Sequence, residues 1–305
     1  MPFPQNRYMA SPQAKTFLLR EIITTGYLLS GYQNTSIWRN VNRMQHSTDT
    51  ATNLGDVLPT GGAYCGGICG TTFAYLTRAN SSWLPNTTAV TKVNMVTEVG
   101  SGGPSMPYSV AQTGQGCQQE KLKAWVVPNG NNALMRFDFA SESWLSSIGL
   151  SYVGYGGGGN SSFFTETKGW TYEDGNNSMK MTFATETQSS ASPAGAHDQQ
   201  HGQSSKLTYV YAGNEGSYNG GYNLRRWNVT TEVNAGNITK PCGNTGEENF
   251  DMGQDHGYMM GSYDGAQNNR AYRLNYTTDS GFEGGSTMQP KGVGGRSSGI
   301  AAWRA

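Results

Sequence analysis

The sequence predicts an all-β chain folded as a β-propeller of six units. Three observations carry this. A basic residue, an alternating stretch, a hydroxyl and an acid recur six times at one fixed interval. A short aromatic or β-branched run precedes each copy. A Gly-, Ser- and Pro-rich stretch follows the copies, the signature of tight turns and loops. The copies run Arg43–Asp49, Lys92–Glu98, Arg136–Glu142, Lys180–Glu186, Arg226–Glu232 and Arg273–Asp279, and the acids are spaced by 49, 44, 44, 46 and 47 residues. A period in that range, with two to four strands per unit, matches one propeller blade. A seven-bladed ring is the alternative.

The runs ahead of the copies are Gly26–Tyr32, Thr71–Thr77, Lys121–Val127, Ser151–Gly157, Lys206–Gly213 and Gly257–Tyr263. Their length and their Tyr, Trp, Val and Leu content predict strands. The marked segments predict the next strand of each unit. Counted from the basic residue, the first and third positions afterwards are mostly Met, Phe, Trp, Leu, Val or Tyr. With period two they share one face, which should be buried. The hydroxyl and acid that end each copy should lie in the following turn, where short acceptors satisfy backbone donors. The bland reading of the markers is a repeated structural device. The sharper reading is a ring of acids around a channel or binding face.

The fourth unit differs. The distance from its run to Lys180 is long, and the additional stretch Phe163–Gly175 alternates and ends in Asp174-Gly175. It predicts an inserted hairpin. Insertions in repeat proteins map to loops, often on a binding face, so Phe163, Phe164, Trp170 and Tyr172 are candidate contact residues.

The C-terminal stretch Gly295–Trp303 resembles a segment that leads into a unit, yet no unit follows it. The first unit begins abruptly near Thr24. The simplest expectation is that the C-terminal segment completes the first blade and removes an open sheet edge. The propeller then occupies residues 24–305. Residues 1–23 remain as an N-terminal anchoring segment, with PQAKTFLLREII as a short helix or additional strand.

Composition narrows the function. Lys and Arg number 21, Asp and Glu number 21, and charged residues are 14% of the chain. With no basic run, nucleic acid is not an expected partner. No stretch approaches a membrane span, and the first twenty residues lack the pattern of a secretory signal. The sequons at Asn34, Asn80, Asn86, Asn160, Asn228, Asn237 and Asn275 are then chance products of an Asn- and Thr-rich chain. The 42 glycines and low charge suit many strands joined by tight turns and a surface covered by hydroxyls and amides.

Chemistry is thinly represented. Cys65, Cys69, Cys117 and Cys242 are too few for a disulfide-built domain, and Cys65 and Cys69 lack nearby companions for a zinc site. Buried thiols, a disulfide and a metal are the three readings. His197 and His201 are four apart in a loop-like stretch, where a metal site competes with a plain polar loop. The acidic pairs Glu173/Asp174, Glu247/Glu248 and Asp251/Asp255 show no separation across a sugar of the kind a glycosidase uses. No metal, cofactor or catalytic residue is expected, and no enzymatic activity.

The segments Ser151–Gly159, Asn40–Thr52 and Gly257–Ser280 carry a family resemblance. Gly-Tyr with small and apolar residues, then Arg and a Thr-Asp turn, resembles kelch-like repeats. More narrowly it resembles repeats in structural proteins of tailed bacteriophages of the cyanophage type. The resemblance spans about residues 24–303. It implies a propeller carried on a virion as a capsid decoration, collar, tail or fibre component. It implies assembly in a host cytoplasm, other virion proteins as partners, and several copies through particle symmetry. A module binding host surface glycan, in a tail fibre or tailspike, is the alternative.

Overall fold

A computed structural model describes residues 25–33, 36–62, 66–77, 86–110, 113, 117–119, 122–128, 133–149, 161–164, 167–172, 178–191, 203–204, 209–213, 223–239, 249–252, 256–262, 268–275, 278, 280–287 and 298–302. The N-terminal segment 1–23, the run Ser151–Gly157, the His197/His201 pair, Cys65, Cys242 and Asp279 lie outside them. Among the described residues there are strands and turns and no helix.

The described strands form six four-stranded sheets. The first holds β1 (Thr25–Gln33), β2 (Ser36–Gln45) and β3 (Thr50–Asn53), with the C-terminal β24 (Ser298–Ala302) on the free edge of β1. The second is β4 (Gly67–Cys69), β5 (Phe73–Thr77), β6 (Val90–Asn94) and β7 (Gly100–Gly102). The third is β8 (Cys117–Gln119), β9 (Lys123–Val126), β10 (Ala133–Asp138) and β11 (Ser143–Gly149). The fourth is β12 (Ser161–Phe164), β13 (Lys168–Tyr172), β14 (Ser178–Thr182) and β15 (Thr187–Ala191). The fifth is β16 (Gln203–Ser204), β17 (Tyr209–Gly213), β18 (Asn223–Asn228) and β19 (Val233–Thr239). The sixth is β20 (Asn249–Met252), β21 (His256–Ser262), β22 (Asn268–Asn275) and β23 (Ser280–Thr287). Every pairing between neighbouring strands is antiparallel, the meander that short turns permit.

The apolar clusters sit between sheets. Tyr27, Leu29 and Val41 of the first sheet pack with Cys69, Ala74, Leu76 and Val93 of the second. Tyr75 and Val90 of the second pack with Ala124, Val126, Met135 and Phe137 of the third. Trp125 and Leu134 of the third meet Met179 and Met181 of the fourth. Trp170 of the fourth meets Trp227 of the fifth. Successive residues of β5 therefore serve opposite neighbours, Ala74 and Leu76 toward the first sheet and Tyr75 toward the third.

The face expected to be buried is buried, and burial extends beyond it. The first and third positions after the basic residue are buried as expected: Met44, Val93, Phe137, Met181, Trp227 and Leu274, then His46, Met95, Phe139 and Phe183. The opposite face is buried too, as in Leu134, because the third sheet packs against both the second and the fourth. Exposure appears in the fourth strands, where β7 and β15 are half-open to solvent.

The fourth unit needs a correction. The described residues of Phe163–Gly175 form no insertion. β12 and β13 are the ordinary first and second strands of the fourth sheet, and β13 pairs with β14 as β5 pairs with β6. The glycine-rich run 151–157 had claimed that role in the sequence. Trp170 is fully buried between sheets, its ring 5.3 Å from that of Trp227 and edge-on to it, so it is core and not a contact residue. The backbones of Phe163, Phe164 and Tyr172 lie in the same two strands. Cys69 is a buried thiol that donates to the Gly70 carbonyl and lies 3.6 Å from the Met95 sulfur.

Candidate functional site

The repeated charged residues come together between the sheets. Each basic residue sits in a third strand, and the acids from Asp49 to Glu232 end the turns that follow. Asp49, Glu98, Glu142, Glu186 and Glu232 all have positive φ, between 47° and 57°. A left-handed conformation at a residue with a Cβ costs about 1–2 kcal/mol, so something must hold it there.

Two devices do. The first is a cap inside the turn. Asn94 Oδ1 accepts the backbone N–H groups of Val96 and Thr97 at 2.9 and 3.0 Å. Asp138 accepts from the Ser141 N–H and hydroxyl, Asn228 from the Thr230 and Thr231 N–H groups, and Asn275 from that of Thr278. The backbone donors are thus satisfied by the residue two after the basic one, not by the acid as the sequence reading had it. The Ser141 bonds hold the Asp138 carboxyl below its ordinary value.

The second device is an ion pair to a different sheet. Arg43 of the first sheet donates to Glu98 of the second at 2.5 Å. Lys92 of the second donates to Glu142 of the third. Arg136 donates to Glu186 of the fourth at 2.5 Å, and Lys180 to Glu232 of the fifth at 2.8 Å. Arg273 of the sixth sheet then donates to Asp49 of the first at 2.6 Å. Arg226 donates to the Ala235 carbonyl within its own sheet. The paired side chains are 15–33% exposed, too shielded to count as surface pairs. A hydrogen bond to a charged group is worth about 1.5–3 kcal/mol, which offsets the backbone cost of the turn.

A buried aromatic, Tyr27, Tyr75, Trp125, Trp170 or Tyr258, stands beside five of the basic residues. Directly across from the basic residues stand Tyr27, Tyr75, Trp125, Trp170, Tyr211 and Tyr258 in the second strands. Tyr27 donates to the Met95 carbonyl at 3.1 Å and reaches Glu98, and Tyr258 donates to Asp49. Burial, then the Glu142 carboxylate, push the Tyr75 phenol well above its ordinary range, so it stays neutral. Trp125 stacks on Phe183 at 4.7 Å. Two residues earlier in the second strand a further cation recurs: Lys123 lies 3.8 Å from Glu186, and Lys168 lies 3.2 Å from Glu232. Burial pushes the Glu232 carboxyl up, but the bonds from Lys180 and Lys168 outweigh it and leave it below its ordinary value.

The junction of the sixth and first sheets carries histidine in that further position. His256 Nε2 is 4.0 Å from Asp49, and its ring lies 5.9 Å from that of buried His46. Burial, followed by Arg273 and His46, lowers the His256 pKa, against the opposing pull of Asp49. In the second, third and fourth units the residue in the place of His46 is Met95, Phe139 or Phe183, all buried and apolar.

The five described acids therefore do not converge on a common ligand; each of them is engaged by a neighbouring sheet. Among the described residues no group of three His, Cys, Asp or Glu side chains could hold a metal ion. The aromatics opposite the basic residues were missed in sequence because the interval between them varies from 10 to 17 residues, the loop between the two strands being of unequal length.

No protein-family model matches the chain, and no curated protein matches it. Solved structures do. A chain in the crystal structure of a nidogen/laminin complex superposes with a TM-score of 0.60 at 6% identity, over 92% of this chain and 100% of that one. At this identity the likeness concerns fold alone. In all, 1195 solved chains match, so the likeness marks a widely used architecture. The fold is all-β and propeller-like.

Proposed function

We propose that the chain is a six-bladed propeller, closed on itself by its C-terminal strand, that serves as a non-catalytic structural component of a virion. One observation carries the structural reading: the repeated charged residues are spent on joining sheet to sheet. Ion pairs run from the first sheet through to the fifth, and from the sixth back to the first. β24 pairs with β1 and lies against both β4 and β20, where a closing strand would sit. Such a ring offers a rigid body with two ends, suited to assembly and presentation. The virion setting rests on the resemblance of the repeats to those of tailed-phage structural proteins, with other virion proteins as its partners.

Cryo-EM of a particle carrying the protein tests this directly. The reading expects the ring seated against capsid, collar, tail or fibre neighbours in multiple copies. In parallel, the purified chain is incubated with host surface polysaccharide. Turnover of that polysaccharide refutes the non-catalytic reading. Saturable binding without turnover moves the assignment to a glycan-binding attachment module.

A further inference from the structure

The turns after the third strands share one end of the molecule with the turns between first and second strands. Met95 donates to the Thr72 carbonyl, Phe139 to that of Leu122, and Phe183 to that of Thr167. β1 starts at the same end, since Thr25 lies opposite Gln45, the last residue before the turn of the first sheet. Residues 1–24 thus join the fold there. They join it beside the second sheet: Tyr27, two residues into β1 from Thr25, donates to the Met95 carbonyl in the turn of that sheet.

That turn departs from the repeat. Four and seven residues after the basic marker, the other units carry Ser47 and Thr50, Ala140 and Ser143, Ala184 and Thr187, Thr230 and Val233, Thr277 and Ser280. The second unit alone has a β-branched apolar residue at both places, Val96 and Val99, and they are 63% and 62% exposed. The chain that leads into Thr25 reads Phe17-Leu-Leu-Arg-Glu-Ile-Ile23. Phe17 precedes Thr25 by eight residues, a reach of about 26 Å at full extension. Packed sheets lie about 10 Å apart. The apolar stretch can therefore cover the turn of the second sheet, and its length suits that neighbour.

We propose that residues Phe17–Ile23 dock over Val96 and Val99 of the same chain, as a strap tying the second sheet's turn to the first sheet. Burial of these side chains against the two valines supplies the attraction. The proposal is independent of the virion reading.

Limited trypsin digestion of the full chain tests it, reading cleavage after Arg20 against cleavage after Arg7. The strap predicts that Arg20 is cut much more slowly than Arg7. In the V96S/V99S variant, cleavage after Arg20 should accelerate at least about tenfold, because proteolysis follows the population of the released state. V233S, the same change in the fifth sheet, should leave it unchanged. Both substituted sites are exposed, and an unchanged near-UV circular dichroism spectrum confirms that the variants fold. Equal cleavage at Arg20 in wild type and V96S/V99S overturns the proposal. So does protection that disappears on dilution, which would mean docking onto a second copy. Hydrogen exchange supplies an independent reading: exchange at Val96–Val99 should rise in a chain starting at Thr24, and no change there also overturns it.

Discussion

Replacing Asp49 by Asn removes one charge at the junction of the sixth and first sheets and changes little else. Asn has nearly the same volume, and it tolerates the left-handed conformation that Asp49 adopts at φ 53°. The carboxylate accepts from Arg273 at 2.6 Å and from the Tyr258 hydroxyl, with side-chain exposures of 25% for Arg273 and 33% for Asp49. Hydrogen bonds to charged groups contribute about 1.5–3 kcal/mol. The Asn carbonyl still accepts one bond, so the loss should fall near the lower end, about 1.5–2 kcal/mol. At about 2–4 °C per kcal/mol for a domain of this size class, Tm falls by about 3–8 °C. Asp56→Asn is the control. Arg39 and Asp56 also pair, at 3.0 Å, but with 51% and 57% exposure. Exposed pairs contribute about 0–1 kcal/mol, so that variant should shift Tm by little. Differential scanning calorimetry on both reads the difference. Equal shifts would refute the argument that the inter-sheet pairs hold the junction.

Three further outcomes are expected. Trp170→Ala should cost about 3–5 kcal/mol, as truncation of a buried aromatic does; a change within about 0.5 kcal/mol in chemical denaturation would return Trp170 to the surface. The His256 pKa is lowered in the fold, so the unfolded chain binds the proton more readily. Its contribution to stability is present above the ordinary imidazole value of 6.5 and is lost as pH falls from there through the lowered value. His256→Gln should flatten that part of a stability-against-pH curve, and an unaltered curve would contradict the assignment. Deleting residues 298–305 strips the partner from β1 along Thr25–Leu29 and bares a sheet edge. Size exclusion and thermal melting should then show association and a lower Tm; an unchanged melt would show that the strand holds nothing closed.

Much of the fold was legible in the sequence because its signals are local. The third strands announced themselves by a basic residue and an acid at a constant interval. Five of the six aromatic runs coincide with second strands, from β1 to β21. The C-terminal stretch was readable as a strand lacking a unit of its own. The fourth unit was misplaced because glycine and tyrosine at 151–157 imitated the other runs more closely than Gly169–Tyr172 did, and burial of Trp170 depends on Trp227, 57 residues away. The role of the acids was hidden for a related reason. A basic residue lies six positions from the acid of its own unit and about fifty from that of the next, and both intervals repeat. Strand geometry decides between them: the turn swings the acid to the left-handed region, and the packed neighbour supplies the cation. Turn capping fell to Asn94, Asp138, Asn228 and Asn275, whose side chains are short enough to reach backbone donors two and three residues on.

The central claim is that one set of clamps joins six sheets into a closed ring. An experimental structure of the full chain tests it most directly at the junction of the fifth and sixth sheets. The account predicts six four-stranded sheets, residues 298–302 beside 25–29, and the Arg226 guanidinium within ion-pair distance of the Asp279 carboxylate. A seventh sheet, a gap between the sixth and first sheets, or Arg226 and Asp279 on separate faces would contradict it.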